Sequence, residues 1–252
     1  MPQLLAFPAL RDNLIWALVD GTGGALVIDP GELTPLLPAL EAGLRPLAIL
    51  LTHHHADHVG AALALAEASG AALFGPEDRR LPEAVQALSA GRHALPGDWA
   101  VEVLAVPGHT RSHLAFHIGD HLFSGDTLFS LGCGRLFEGQ PAQMLDALDR
   151  LAALPASTRV CCGHEYTLAN ARFAAAVEAD NPARTAWVAE AERRLASGRP
   201  SLPSTIGIER AANPFLRVDA PGIRQSLAAK DLAADDRLEA FTALRAWKDV
   251  FA

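Results

Sequence analysis

The segment Thr52-His53-His54-His55-Ala56-Asp57-His58 constrains this chain more than any other. Four of the ten histidines fall within six residues, directly after the apolar run 48–51. In an extended loop, residues two apart point the same way, so His53, His55 and Asp57 share a side. His58 adds a further nitrogen where the next helix begins. Imidazole nitrogen and carboxylate oxygen suit zinc, iron or manganese, and without thiolates a closed structural zinc site is disfavoured. A solvent-exposed His-rich loop is the plainer alternative; an internal H-x-H-x-D-H placed directly after a strand argues against it.

Three further segments repeat one arrangement. An apolar strand runs into Pro107-Gly108-His109-Thr110, another into Ser124-Gly125-Asp126-Thr127, and a third into Gly163-His164-Glu165. Each ends in glycine followed by one potential ligand, at the strand-end position where loops held by a rigid sheet carry chemistry. Taken singly, a histidine after glycine is more often structural. Taken with the 53–58 loop, these segments bring the set to five histidines and two aspartates. That exceeds one tetrahedral ion and suits two metals sharing a carboxylate.

The rest of the chain supports an α/β frame. Apolar runs bounded by Gly and Pro predict strands at 4–7, 13–19, 25–28, 47–51, 101–106, 114–118, 121–123 and 159–162. Alanine-rich stretches predict helices at 33–42, 59–68 and 142–154. After about residue 165 the pattern turns helical, with helices expected at 170–179, 183–196 and 237–251, a Pro- and Gly-containing link at 198–203, and no strand. Two domains are expected, 1–168 and 169–252. Twenty-nine acidic against 21 basic residues give a net charge of −8, which speaks against a nucleic-acid partner. No apolar run reaches the roughly 18 residues of a membrane span, and no signal peptide of charged-then-apolar type is legible. Three cysteines, two of them adjacent, make no disulfide framework. A cytoplasmic address and a monomer are the expectations.

The order H-x-H-x-D-H, G-H-T, S-G-D-T, G-H-E resembles the metallo-β-lactamase superfamily over residues 1 to about 168. The resemblance implies an αββα sandwich, here followed by a smaller α-helical domain, with a dinuclear site at one edge. Carried over by motif, His53, His55 and His109 hold one metal. Asp57, His58 and His164 hold the second, and Asp126 bridges. The same resemblance gives Asp29 a supporting role behind the ligands; a turn aspartate before Pro30 is the ordinary alternative. His54 is expected to face away from the ligands and His113 to support them. His93, His117 and His121 are expected as surface or strand residues, and Cys133, Cys161 and Cys162 as structural.

Outside the metal loops, three segments are similar to the glyoxalase II family of hydroxyacylglutathione hydrolases. Gly132-Cys133-Gly134-Arg135-Leu136-Phe137-Glu138-Gly139 resembles that family's G-C-G-K-F-Y-E-G loop, with Arg135 for the lysine and Phe137 for the tyrosine. Tyr166, in Gly163-His164-Glu165-Tyr166-Thr167, matches another glutathione-contacting position. Arg245 and Lys248 match the R-x-x-K of the last helix. Positions i and i+3 share a helix face, so the pair forms a cationic patch fitted to carboxylates, of which glutathione has two. Cations at a helix C-terminus also favour the dipole with no ligand at all.

The resemblance implies hydrolysis of S-(2-hydroxyacyl)glutathione thioesters, S-D-lactoylglutathione to glutathione and D-lactate, the second step of methylglyoxal detoxification. Two divalent ions, zinc first with iron or manganese accepted by the same donors, lower the pKa of a bridging water toward neutrality. The resulting hydroxide is the nucleophile, no protein nucleophile is needed, and Asp57 carries the catalytic assignment. The competing expectation is a glutathione persulfide dioxygenase of the same superfamily, against which the long helical C-terminal region and R-x-x-K count.

Overall fold

A computed structural model describes residues 2–232 and 235–251. The chain divides into two compact units. One runs to Ala105 and adds Ser112–Gly125 and Gly163–Glu165; the other takes Val106–Arg111, Asp126–Cys162 and the chain from Tyr166 onward.

In the first unit, six strands form one sheet in sequence order: Gln3–Ala9, Asn13–Val19, Gly24–Ile28, Arg45–Leu50, Ala72–Gly75 and Gln86–Ala87. The first three pair antiparallel; from Gly24–Ile28 onward the pairing is parallel. Parallel strands are covered on both faces, which is why GALVI and PLAIL read as continuous apolar runs. Val27 and Ile49 pack with Leu36, Ala62 and Leu65 from the crossover segments in one core. Each of the valine, leucine and isoleucine side chains, fully buried, contributes roughly 1.5–3 kcal/mol. This core holds rigid the strand ends from which Asp29 and the histidine loop emerge. Gly91–Leu95, Trp99–Ala105, Leu114–Ile118 and His121–Gly125 form an antiparallel meander.

The second unit is mainly helical: Pro141–Ala152, Thr167–Val177, Pro182–Ala196, Ile206–Ala212, Pro221–Ala228 and Arg237–Asp249. Its helix starts follow capping rules. The Asn181 side chain accepts from Arg184 N, and Asp236 with Glu239 closes a capping box. A small hairpin, Leu128–Phe129 with Gly132–Cys133, precedes the arginine-bearing loop.

All eight expected strands form, with ends shifted by at most two residues. Three expectations fail, the first being the helix expected at 59–68, which is interrupted at 60–61 between Ala56–Val59 and Ala62–Ser69. The C-terminal region is not free of strand: Ser204–Thr205 pairs with Arg159–Cys162, a segment too short to show alternation in sequence. The helix expected at 33–42 breaks into a 3-10 turn, Thr34–Leu36, and Leu37–Glu41, because Pro35 and Pro38 lack the amide protons a continuous helix needs. Among the described residues, no helix is long and apolar enough to cross a membrane.

Candidate metal centre

The histidine loop is wired to the strand ends that deliver it. Asp29 follows Gly24–Ile28 with φ +52°, a left-handed backbone that aspartate tolerates. Its carboxylate accepts from the Thr52 amide and the Thr52 hydroxyl, each at 2.7 Å. The single hydroxyl proton is thereby committed to Asp29, so Thr52 Oγ1 accepts from His53 Nδ1, 3.0 Å away. With Nδ1 so engaged, Nε2 of His53 carries the lone pair, and it faces Nδ1 of His55 at 3.0 Å. A proton on His55 Nδ1 satisfies that approach, and so does a cation held by both lone pairs. The donor set therefore fits a metal. His113, fully buried, stacks on His53 with ring centroids 4.6 Å apart and 18° between planes.

The short helix Ala56–Val59 places Asp57 and His58. His58 Nδ1 lies 2.9 Å from Asp29 Oδ2, which only accepts, so Nε2 carries the lone pair; it stands 3.5 Å from Asp57 Oδ2. His164 repeats the device: Nδ1 is 2.8 Å from Asp12 Oδ1, and Nε2 is 3.4 Å from Asp57 Oδ2. Asn13 donates to Asp57 Oδ2 at 2.9 Å. Carboxylates behind imidazoles fix both tautomer and ring orientation at metal sites. A Cβ on Gly31 would lie 1.8 Å from the Asp57 carbonyl oxygen, so only glycine lets this turn pack beneath the loop. Within the first unit, Asp57, His58 and His164 offer ligand atoms within 4.8 Å of one another, as do Asp29, His53 and His58.

In the second unit, His109 Nδ1 lies 2.8 Å from the Arg135 carbonyl, again an acceptor only, and Nε2 lies 3.5 Å from Asp126 Oδ2. A Cβ on Gly134 would meet the Asp126 carbonyl oxygen at 1.9 Å, which explains the second glycine of the Gly132-Cys133-Gly134 run.

The residues expected to bind substrate differ in freedom. Arg135 is exposed, and its Nε lies 3.2 Å from Asp249 Oδ1. Phe137 is 61% exposed, its ring edge-on to His109 at 5.2 Å. Tyr166 packs edge-on to Phe129 at 5.3 Å. Arg245 is buried, donating to the Cys133 carbonyl (2.8 Å) and to Asp249 Oδ1 (3.1 Å). Lys248 is half-buried with Nζ over Phe173, and burial, reinforced by Arg245, holds its pKa below the usual lysine value.

His54 lies beside Asp78 at 3.5 Å and joins none of the ligand clusters among the described residues. His93 and His117 are half-exposed, while His121 is a buried strand residue 2.8 Å from Asp120. All three cysteines are buried and none forms a disulfide among the described residues, and burial pushes the Cys133 thiol up, away from nucleophilic character. Sequence reasoning missed Asp12, Asn13, Thr52, Asp78, Glu209 and Asp249. The first three had a signal in their closeness to turns and to the ligand loop. Glu209 had none: it is fully buried and accepts from Leu131 N (2.8 Å) and Asn213 Nδ2 (3.0 Å), bracing the small hairpin, and burial raises its pKa.

The family model of the metallo-β-lactamase superfamily matches residues 14–85 and 75–164. The B3 metallo-β-lactamase BLEG-1 has a TM-score of 0.65 at 23% identity, covering 85% of this chain and 100% of that one. ETHE1 from Myxococcus xanthus has 0.64 at 26%, covering 98% and 99%. Fold and ligand loops together define a member of the metallo-β-lactamase superfamily. The model of the hydroxyacylglutathione hydrolase C-terminus matches residues 165–251. A protein named hydroxyacylglutathione hydrolase from Xanthomonas campestris pv. campestris is 51% identical, covering 99% of both chains. This chain belongs to the hydroxyacylglutathione hydrolase family. The match over 165–251 falls on the helical region that set the persulfide dioxygenase expectation at a disadvantage, and that alternative is not favoured.

Proposed function

We propose that this chain hydrolyses S-(2-hydroxyacyl)glutathione thioesters, converting S-D-lactoylglutathione to glutathione and D-lactate in methylglyoxal detoxification. The observation that carries the reading is the 51% identity, over 99% of both chains, to a protein named for that activity. His53, His55 and His109 are assigned to one divalent ion, Asp57, His58 and His164 to a second, and Asp126 to both. Zinc is the metal assigned; iron and manganese suit the same donors. Bound there, the ions supply a water acidic enough to act near neutral pH and polarise the thioester carbonyl.

The chain's own residues do the rest. Asp12, Asp29, Thr52 and the Arg135 carbonyl hold the imidazole protons on the far side of each ring. Asn13 orients Asp57, the catalytic carboxylate. The leaving thiol, of pKa about 8.5, departs as thiolate, so no strong general acid is required. Arg135, Phe137, Tyr166, Arg245 and Lys248 receive the glutathione moiety. Residues 1–168 then serve as the metal domain and 169–252 as the substrate-binding domain of a cytoplasmic monomer acting on a small molecule, without nucleic acid or membrane.

The test follows thioester absorbance and dissolved oxygen together, with zinc-loaded protein and S-D-lactoylglutathione. Thioester loss without oxygen uptake is expected. No thioester cleavage, or oxygen uptake with glutathione persulfide, overturns the reading.

A further inference from the structure

Asp78 lies just beyond the strand Ala72–Gly75, outside every motif used above, yet its side chain is only 6% exposed. Its carboxylate accepts from two residues and has the His54 ring beside it. Oδ1 accepts from the Arg80 amide (3.0 Å) and Arg80 Nε (2.8 Å). Oδ2 accepts from Arg80 Nη2 (2.7 Å) and the Ser112 hydroxyl (2.6 Å). His54 Nδ1 stands 3.5 Å from the same Oδ2. A buried carboxylate persists only with such partners, and the Arg80 side chain holds its pKa well below the usual range.

The positions of these partners matter more than their number. His54 sits between His53 and His55, so holding its ring restrains the backbone of both neighbours. Ser112 precedes His113, the ring stacked on His53. One anion thus restrains the chain on either side of His54 and, through Ser112, the segment whose ring covers His53. We infer that Asp78 is a positioning residue for the metal site, fixing the His53–His55 pair in the geometry that receives a cation. This rests on the metal assignment proposed above.

Hydrogen-bonding residues behind metal ligands commonly affect metal affinity by about ten- to a hundredfold. Zinc affinity is to be measured on the full chain by competition with a chromophoric chelator, for wild type, Asp78→Ala, Asp78→Asn and Ser112→Ala. Thermal melting of each metal-free protein is recorded in parallel. His55→Asn, which removes a ligand, marks the ion concerned. The expected result is that both Asp78 variants weaken that same ion about tenfold or more. Ser112→Ala does so less, and the metal-free proteins melt near wild type. Asp78→Asn fills the same volume and decides the matter if Asp78→Ala does not fold. His54→Asn, which keeps a polar nitrogen beside Asp78, is expected to stay near wild type. Wild-type affinity for both ions in the Asp78 variants overturns the inference, as does a loss that only tracks a lower metal-free melting temperature. A wild-type protein that takes up no zinc overturns the metal assignment instead.

Discussion

Truncating Lys248 and Arg245 separately distinguishes recognition from folding, although the two lie one turn apart on the helix Arg237–Asp249. Arg245 donates to the Cys133 carbonyl and to Asp249, and its guanidinium lies 5.1 Å from the Phe215 ring centroid. A charge-assisted hydrogen bond is worth about 1.5–3 kcal/mol, and an unpaired buried carbonyl costs about 1–3 kcal/mol. Arg245→Ala therefore removes several kcal/mol from a total that is typically about 5–15 kcal/mol. Lys248 is tied down less: its Nζ sits 5.2 Å and 5.8 Å from the Phe173 and Phe251 centroids, contacts worth about 0.5–1 kcal/mol where water has access. If Lys248 grips one glutathione carboxylate, its loss costs about 1.5–3 kcal/mol of transition-state binding, or about ten- to a hundredfold in kcat/KM. The assay compares S-D-lactoylglutathione with a small thioester lacking the glutathione carboxylates, alongside melting temperatures. Lys248→Ala is expected to lose activity on the glutathione substrate alone and to melt near wild type; Arg245→Ala is expected to melt well below it. Equal losses on both substrates for Lys248→Ala, or none, refute the clamp. The pH dependence carries a sign. The lysine charge is present at low pH and is lost as pH rises through a value below the usual 10.5, so selectivity for the glutathione substrate fades early on the alkaline side.

Asp126→Ala is expected to lose metal and nearly all turnover while remaining folded; full activity with one tightly bound ion per chain, measured by elemental analysis, contradicts the dinuclear assignment. Phe137→Tyr restores the hydroxyl that the resembling loop carries. At a ring 61% exposed, the gain in kcat/KM should sit at the low end of one hydrogen bond, about 0.5 kcal/mol, and a loss would show that the bare ring is preferred. Glu209→Gln probes the buried acid. Because burial raises the folded pKa above the ordinary 4.5, the favourable contribution of the protonated form is complete below 4.5 and is lost as pH rises through the folded value. Glutamine keeps an acceptor for Leu131 and Asn213 without that titration, so its stability relative to wild type, read from urea midpoints, should improve from acid to neutral pH.

What was legible in the sequence were features that repeat locally. Buried parallel strands announce themselves as unbroken apolar runs, and a strand ending in glycine and histidine marks a ligand loop. What was not legible depends on partners far away in the chain. Gly91–Leu95 carries no apolar alternation, and it is a strand because it pairs with Trp99–Ala105 across a turn with Gly97 and Asp98 at positive φ. The helix Ile206–Ala212 is short and begins where the Thr205 hydroxyl accepts from Ile208 N, a cap visible only once Thr205 is known to end a strand. Arg245 and Lys248 read as an equivalent pair by their spacing. The Cys133 carbonyl, 112 residues earlier in the chain, ties Arg245 down more tightly than Lys248.

The hydrogen-bond partners behind the imidazoles also make the two assigned sites chemically unequal. His58 and His164 each face a carboxylate directly, Asp29 and Asp12, and share Asp57 in front. His109 Nδ1 faces the Arg135 carbonyl, and the Thr52 hydroxyl stands between His53 Nδ1 and Asp29 Oδ2. A carboxylate partner makes an imidazole a stronger electron donor, whereas a neutral acceptor orients the ring with less effect on its basicity. In the proposed assignment the Asp57–His58–His164 group would set two carboxylate-backed imidazoles beside a third carboxylate, a donor set suited to holding a cation. At the His53–His55 pair the restraint is one of ring placement: Thr52 fixes His53 Nδ1, and Asp78 stands beside His54, the residue between the two.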